Sequence, residues 1–119
     1  MPTACIISGE MFFAMRIAAA ARALGVSLVI LRSAAEVPTK LAADCRLAMI
    51  DLGSGVGADL LGLVAAIQAV TPTTQIVAFG PHVDHELLAR AQAAGCTTMS
   101  NGEFNQRYAN LLQGLLSAS

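Results

Sequence analysis

The sequence predicts an α/β fold in which one parallel sheet of five strands lies between two layers of helices. Short, continuous apolar runs alternate with helical segments along the whole chain, and no linker, repeat or low-complexity tract separates them. Strands that are apolar on both faces are typical of a parallel sheet covered by helices. With right-handed crossovers, five such strand–helix units form a doubly wound three-layer sandwich. We therefore expect a single domain over residues 1–119.

The first half of the chain predicts three strands, namely Thr3–Ser8, Val26–Leu31 and Arg46–Leu52. Between the first two strands, Glu10–Leu24 is helical and ends before Gly25, because glycine readily adopts the left-handed conformation that terminates helices. Ser33 and Glu36 have the spacing of a capping box. Pro38 follows closely, so we expect only a short or irregular helix there.

The second half predicts two strands, Gln75–Phe79 and Cys96–Met99. It also predicts three helices, namely about Asp59–Val70, His85–Ala94 and a last helix to about Leu116. Asp84 is placed to cap the second of these helices. Ser100 and Glu103 have capping-box spacing at the start of the last one.

Composition excludes several classes of function. The formal net charge is −1 and lysine and arginine are not clustered, so we expect no nucleic-acid binding. No uncharged apolar run is long enough for a spanning helix, and the N-terminus lacks a signal-peptide pattern, so we expect a cytoplasmic protein without membrane contact. Cys5, Cys45 and Cys96 are widely spaced, and we expect reduced thiols.

Two segments resemble the receiver domain of response regulators, the CheY-like module of two-component signalling. Arg46–Asp51 (RLAMID) resembles the third strand of the family, which ends in the phosphoacceptor aspartate, and Ala89–Cys96 (ARAQAAGC) resembles the fourth helix and its exit into strand five. The resemblance implies a flavodoxin-like sheet with strand order 2-1-3-4-5. Sites in such folds lie beyond the carboxyl ends of the strands.

The resemblance places Asp51 at the phosphoacceptor position. Receivers hold Mg²⁺ with this aspartate and an acidic pair after the first strand. Here Ser8, Gly9 and Glu10 occupy the acidic-pocket position, so at most one further carboxylate is present. We expect no cofactor and no resident metal; Asp51 and Glu10 would be the ligands of Mg²⁺ if the site works. A simpler interpretation makes Asp51 a partner of loop amides and Glu10 an acid at a helix start.

The other assisting groups of a receiver are also missing. The hydroxyl expected after strand four falls at Gly80, and the lysine expected after strand five falls at Ser100 or Asn101. Lys40 is the only lysine and lies in the second crossover. A phosphoryl group on Asp51 would therefore lack charge compensation.

We therefore predict a degenerate, non-enzymatic receiver that acts by protein–protein interaction, independently of phosphorylation. One alternative is an atypical receiver phosphorylated on Asp51 by a histidine kinase. Another is a small nucleotide- or anion-binding protein that uses the Gly53–Gly57 loop, which fits G-x-G-x-x-A but lacks an acid at the end of the next strand. A flexible loop is the simpler interpretation of this segment. His82 and His85 suggest a metal, but no third separated ligand is evident.

The resemblance also implies a partner surface, which the apolar pattern of the last helix permits. Receivers commonly use the face of helix four, strand five and helix five for partners or for a homodimer, which points here to Met99, Phe104 and Tyr108. Phe12 and Phe13 are adjacent on the first helix and cannot both face the sheet. We expect one of them to be exposed or to pack under a loop.

Overall fold

The computed structural model describes residues 2–117. Its five strands form one parallel sheet with the order β2-β1-β3-β4-β5, which confirms the predicted flavodoxin-like topology. The strands are β1 Thr3–Ile7, β2 Ser27–Leu31, β3 Cys45–Asp51, β4 Gln75–Gly80 and β5 Thr97–Ser100. The helices are α1 Met11–Leu24, α2 Val37–Lys40, α3 Leu60–Val70, α4 His85–Ala93 and α5 Asn101–Ser117.

Side chains of the central strands alternate between two hydrophobic cores, one on each face of the sheet. In β3, Ala48 and Ile50 belong to one core, and Leu47 and Met49 to the other. All four are fully buried. A strand that is covered on both faces must be apolar at every position, and this explains the continuous apolar runs of the sequence.

Helix termini follow the capping signals of the sequence, with one exception. Gly25 ends α1 in the left-handed conformation, with φ of 82°. Asp84 accepts a hydrogen bond from the Leu87 amide, and Ser100 and Glu103 bond reciprocally as a capping box. Ser33 makes no capping bond, so the capping box predicted there is wrong. The Glu36 carboxylate instead accepts from the Arg32 amide and pairs with Lys40, which draws it away from Ser33.

The aromatic side chains of α1 and α5 separate into inward and outward positions. Phe12 is 86% exposed, whereas the Phe13 ring packs against Phe79 and Phe104, so the two neighbours face opposite ways as predicted. Phe104 is fully buried and its ring stacks on that of Phe79, with ring centroids 3.8 Å apart.

Two of the residues predicted for the partner surface lie in the core. Met99 and Phe104 belong to the same buried core. Met99 points into it from β5, which pairs with β4, and Phe104 points into it from α5. Neither side chain is therefore exposed on the predicted partner surface. Tyr108 is half-buried and contacts the Phe104 ring. Within residues 2–117, no helix is both long and apolar enough to cross a membrane.

Candidate functional site

The carboxyl ends of β1 and β3 bring Ser8 and Asp51 together. Ile7 and Ile50 are paired in the sheet, so the next residue of each strand emerges at the same edge. The Ser8 hydroxyl is fully buried and donates a 2.9 Å hydrogen bond to Oδ2 of Asp51. Its oxygen accepts from the Glu10 amide at 3.0 Å. A neutral hydroxyl therefore contacts the Asp51 carboxylate at the position where receivers carry an acidic group.

The environment of Asp51 disfavours its charge. The residue is only 9% exposed, and this burial raises the pKa of the carboxyl above its ordinary value. The Ser8 hydroxyl and the Gly53 amide counteract the rise by hydrogen bonding to the carboxylate, and the negative charge of Glu10 adds to it.

The loop after β3 lies directly against Gly9. A Cβ atom on Gly9 would lie 2.7 Å from the backbone carbonyl oxygen of Ser54, which is closer than such atoms approach in proteins. The Gly9 amide donates to Ser54 Oγ at 2.9 Å, and that hydroxyl donates to the Asp51 carbonyl oxygen at 2.9 Å. The backbone of the loop therefore occupies the space that an acidic side chain at position 9 would need. The sequence offered no signal for this role of Ser54.

The glycine-rich segment has regular structure. It folds into two 3-10 turns, Leu52–Ser54 and Val56–Asp59, joined at Gly55, whose φ of 95° suits glycine. The two bonds of Ser54 attach the first of these turns to the ends of β1 and β3.

Glu10 caps the first helix. Its Oε1 accepts a hydrogen bond from the Phe12 amide at 3.2 Å, and the residue precedes the first turn of α1. Glu10 therefore lies at the start of α1, as its N-cap and not within the first turn.

The other two receiver positions carry no group that could assist a phosphoryl transfer. A Cβ atom at Gly80 would make an ordinary 3.4 Å contact with Leu52. The fold therefore has room for a small side chain at this position, but the residue is a glycine and has no hydroxyl. The Ser100 hydroxyl accepts from the Glu103 amide and caps α5.

The carboxylate of Asp51 lines a cleft of about 270 Å³ between α1 and α5, which we call the α1–α5 cleft. Its lining residues are Glu10, Phe13, Arg16, Asp51, Phe79, Asn101 and Asn105. Arg16 donates to Oδ1 of Asn105 at 2.9 Å, and its guanidinium lies 5.2 Å from the centre of the Phe13 ring. The sequence gives no signal for Arg16 as a cation of this cleft, because the resemblance implies a cation after strand five and Arg16 belongs to the first helix.

The donor set does not fit a resident Mg²⁺. Oδ2 of Asp51 already accepts from Ser8, Oε1 of Glu10 accepts from the backbone of α1, and Gly9 has no side chain. Throughout residues 2–117, no three His, Cys, Asp or Glu side chains are grouped to hold a metal ion, and this includes the surroundings of His82 and His85. Cys5, Cys45 and Cys96 are buried free thiols.

Comparison with known proteins gives matches in structure but not in sequence. No family model and no curated protein matches this chain. A two-component response regulator from Clostridium difficile is 16% identical, with a TM-score of 0.79 over 98% of this chain and 97% of that one. A response regulator from Thermotoga maritima is 17% identical, with a TM-score of 0.74 over 98% of both chains. A CheY-like protein (tadZ) from Pseudomonas aeruginosa PAO1 is 18% identical, with a TM-score of 0.73 over 97% of this chain and 99% of that one.

These comparisons and the strand order define the class of fold, which is that of the response-regulator receiver domain. The resemblance found in the sequence is thereby confirmed for the fold. Within this fold, the Asp51 carboxylate accepts a hydrogen bond from a serine hydroxyl, and a loop backbone lies against Gly9.

Proposed function

We propose that this chain is a degenerate receiver domain that acts in signalling by binding a protein partner, without phosphorylation of Asp51. The observations that carry the proposal are the contacts of Ser8 and Ser54 beside Asp51. Ser8 bonds to the carboxylate, and the Ser54 backbone lies where a second acidic side chain would project from position 9.

The electrostatics of the site support the same proposal. Phosphorylation would add negative charge beside Asp51, where Glu10 already contributes repulsion. Receivers offset such charge with Mg²⁺ and a lysine, but the donor set here does not fit the metal and Lys40 lies in α2. Several kcal/mol of stabilisation that the transfer requires would therefore be missing, on the order of what one or two charged contacts supply.

Beryllofluoride, which mimics a phosphoryl group on aspartate, tests this proposal. We expect the ¹⁵N–¹H NMR spectrum of the chain to stay unchanged when Mg²⁺ and beryllofluoride are added together. The Asp51→Asn variant, which cannot accept the group, is the matched control. Magnesium-dependent shifts at Gly53 and Ser54 in the native chain but not in this variant would overturn the proposal.

The alternative, an atypical receiver phosphorylated on Asp51 by a histidine kinase, is favoured by one observation. Arg16 lines the same cleft as Asp51, so the cleft contains a guanidinium. In that case, the beryllofluoride shifts should appear in the native chain and weaken in Arg16→Gln.

The exposed apolar side chains of α1 favour this helix as the partner surface. Phe12 is 86% exposed and Met15, one turn later, is 56% exposed. Large apolar side chains that share one face of a helix and remain in water are typical of interaction sites. In contrast, the predicted surface of α4, β5 and α5, including its use for a homodimer, retains Tyr108 but not Met99 or Phe104.

The proposed use of α1 is tested by the double variant Phe12→Ser and Met15→Ser in chemical crosslinking from the native host cell extract. We expect the crosslinked product of the native chain to disappear in this variant and to persist in Leu61→Ser, which removes an equally exposed apolar side chain from α3. Loss of the product in Leu61→Ser alone would contradict the assignment to α1.

A further inference from the structure

The α1–α5 cleft has an acidic end, an apolar wall and a cationic end. Glu10 and Asp51 lie at the carboxyl edge of the sheet, and the rings of Phe13 and Phe79 line the cleft beside them. Arg16 follows Glu10 by six residues, which corresponds to about 9 Å along the axis of the helix. Since α1 runs away from this edge of the sheet, the charges of opposite sign are separated along the cleft.

The acidic end contains a buried carboxylate without a counter-charge. Asp51 is bonded to the neutral hydroxyl of Ser8, and in the part of the chain that the structure describes no arginine or lysine bonds to it. Burial of a carboxylate without a cationic partner is unfavourable. The nearby Glu10 carboxylate increases the local negative potential. This end of the cleft therefore favours a ligand with a positively charged group.

The other end has a guanidinium with free hydrogen-bonding capacity. Arg16 is exposed and is held in place by Oδ1 of Asn105 and by the face of the Phe13 ring. A guanidinium has five N–H donors, and a carboxylate can accept two of them side by side. Asn101, one turn before Asn105 on α5, adds an amide to the same cleft. This end therefore favours a carboxylate.

We propose that the α1–α5 cleft binds a linear ω-amino acid. The ammonium group lies at Glu10 and Asp51, the methylene chain lies against the rings of Phe13 and Phe79, and the carboxylate lies at Arg16. An α-amino acid is a poorer ligand, because its two charges are attached to one carbon atom and cannot reach both ends. The inference goes beyond the proposed function, since it needs neither a partner protein nor a phosphoryl group.

A series of ligands that differ in charge and length tests the inference on the whole chain. ¹⁵N-labelled protein is titrated with ε-aminocaproate, γ-aminobutyrate and glycine, and with pentylamine and hexanoate, each of which carries only one of the charges. We expect saturable NMR shifts at Glu10, Asn101 and Asn105, with the tightest binding for an ω-amino acid. Removal of either charge should weaken binding about tenfold, as expected for the loss of one charge-assisted contact.

Two arginine variants on the same helix identify the carboxylate end. In Arg16→Gln, binding of ε-aminocaproate should weaken about tenfold while binding of pentylamine stays unchanged. Arg22→Gln, two turns further along α1 and outside the cleft, should bind as the native chain does. The inference is wrong if no ω-amino acid gives saturable shifts, or if pentylamine binds as tightly as ε-aminocaproate. Neither result bears on the beryllofluoride experiment, so the two proposals can fail separately.

Discussion

Replacing Ser8 with alanine removes a hydroxyl that makes a buried and a partly buried hydrogen bond at the edge of the sheet. One goes to the Asp51 carboxylate at 2.9 Å and the other comes from the Glu10 amide at 3.0 Å. A hydrogen bond to a charged group contributes about 1.5–3 kcal/mol and a neutral one about 0.5–1.5 kcal/mol. Because Glu10 is exposed, its amide can be rehydrated in the variant. We therefore expect a loss of about 2 kcal/mol, mainly from the bond to Asp51.

Urea unfolding followed by circular dichroism measures this loss at neutral pH. For a domain of this size, about 2 kcal/mol corresponds to a decrease in Tm of about 6–10 °C. Ser33→Ala is the matched control, because Ser33 is exposed and its side chain makes no capping bond. The stability of this control should stay within about 0.5 kcal/mol of the native chain.

The pH dependence provides a second check on the same bond. The bond from Ser8 stabilises the ionised form of Asp51, so its loss should raise the pKa of this carboxyl further. The stability difference between the native chain and Ser8→Ala should decrease as the pH falls and Asp51 becomes protonated. A destabilisation no larger than that of the Ser33 control, or one that does not vary with pH, would refute the assigned role of the bond.

Two further predictions concern the residues next to Ser8. Asp51→Asn should be more stable than the native chain at neutral pH, because burial raises the pKa of Asp51 and the cost of its charge is fully present above that pKa. The gain should disappear as the pH falls below the ordinary range of an aspartate, which urea unfolding across the pH series would measure; a gain that persists in acid would contradict this explanation. Gly9→Ala should lower the free energy of unfolding by about 1–3 kcal/mol, because the added Cβ meets the backbone of Ser54. In contrast, Gly114→Ala places a methyl group in open space on α5 and should stabilise the chain by about 0.5–1 kcal/mol, so equal effects of the two alanines would show that the contact with Ser54 is unimportant.

The fold was predictable because its signals are local. Each strand of a doubly covered sheet is apolar throughout, and each helix end carries its own marker, such as Gly25, Asp84 or the pair Ser100 and Glu103. These markers act within a few residues of the chain. The capping box at Ser33 failed because a neighbouring lysine and a backbone amide compete for Glu36.

The candidate site was predictable only in part. The position of Asp51 at a strand end, next to the end of β1, follows from the order of the strands, and the missing lysine is visible in the composition. Whether a predicted surface residue is exposed depends on the pairing of strands and on helix packing. Met99 and Phe104 are buried for this reason, although the helix and strand that carry them were correctly predicted.

The sequence by itself determined the alternation of strands and helices, most of the caps that delimit them and the position of Asp51 at the end of the third strand. Only the tertiary structure decided what surrounds that residue. Ser8 lies 43 positions from Asp51 along the chain, Ser54 lies 45 from Gly9, and Arg16 lies 89 from Asn105. Such contacts form because the parallel crossovers place the carboxyl end of every strand at the same edge of the sheet. The periodicity of a single segment cannot predict them.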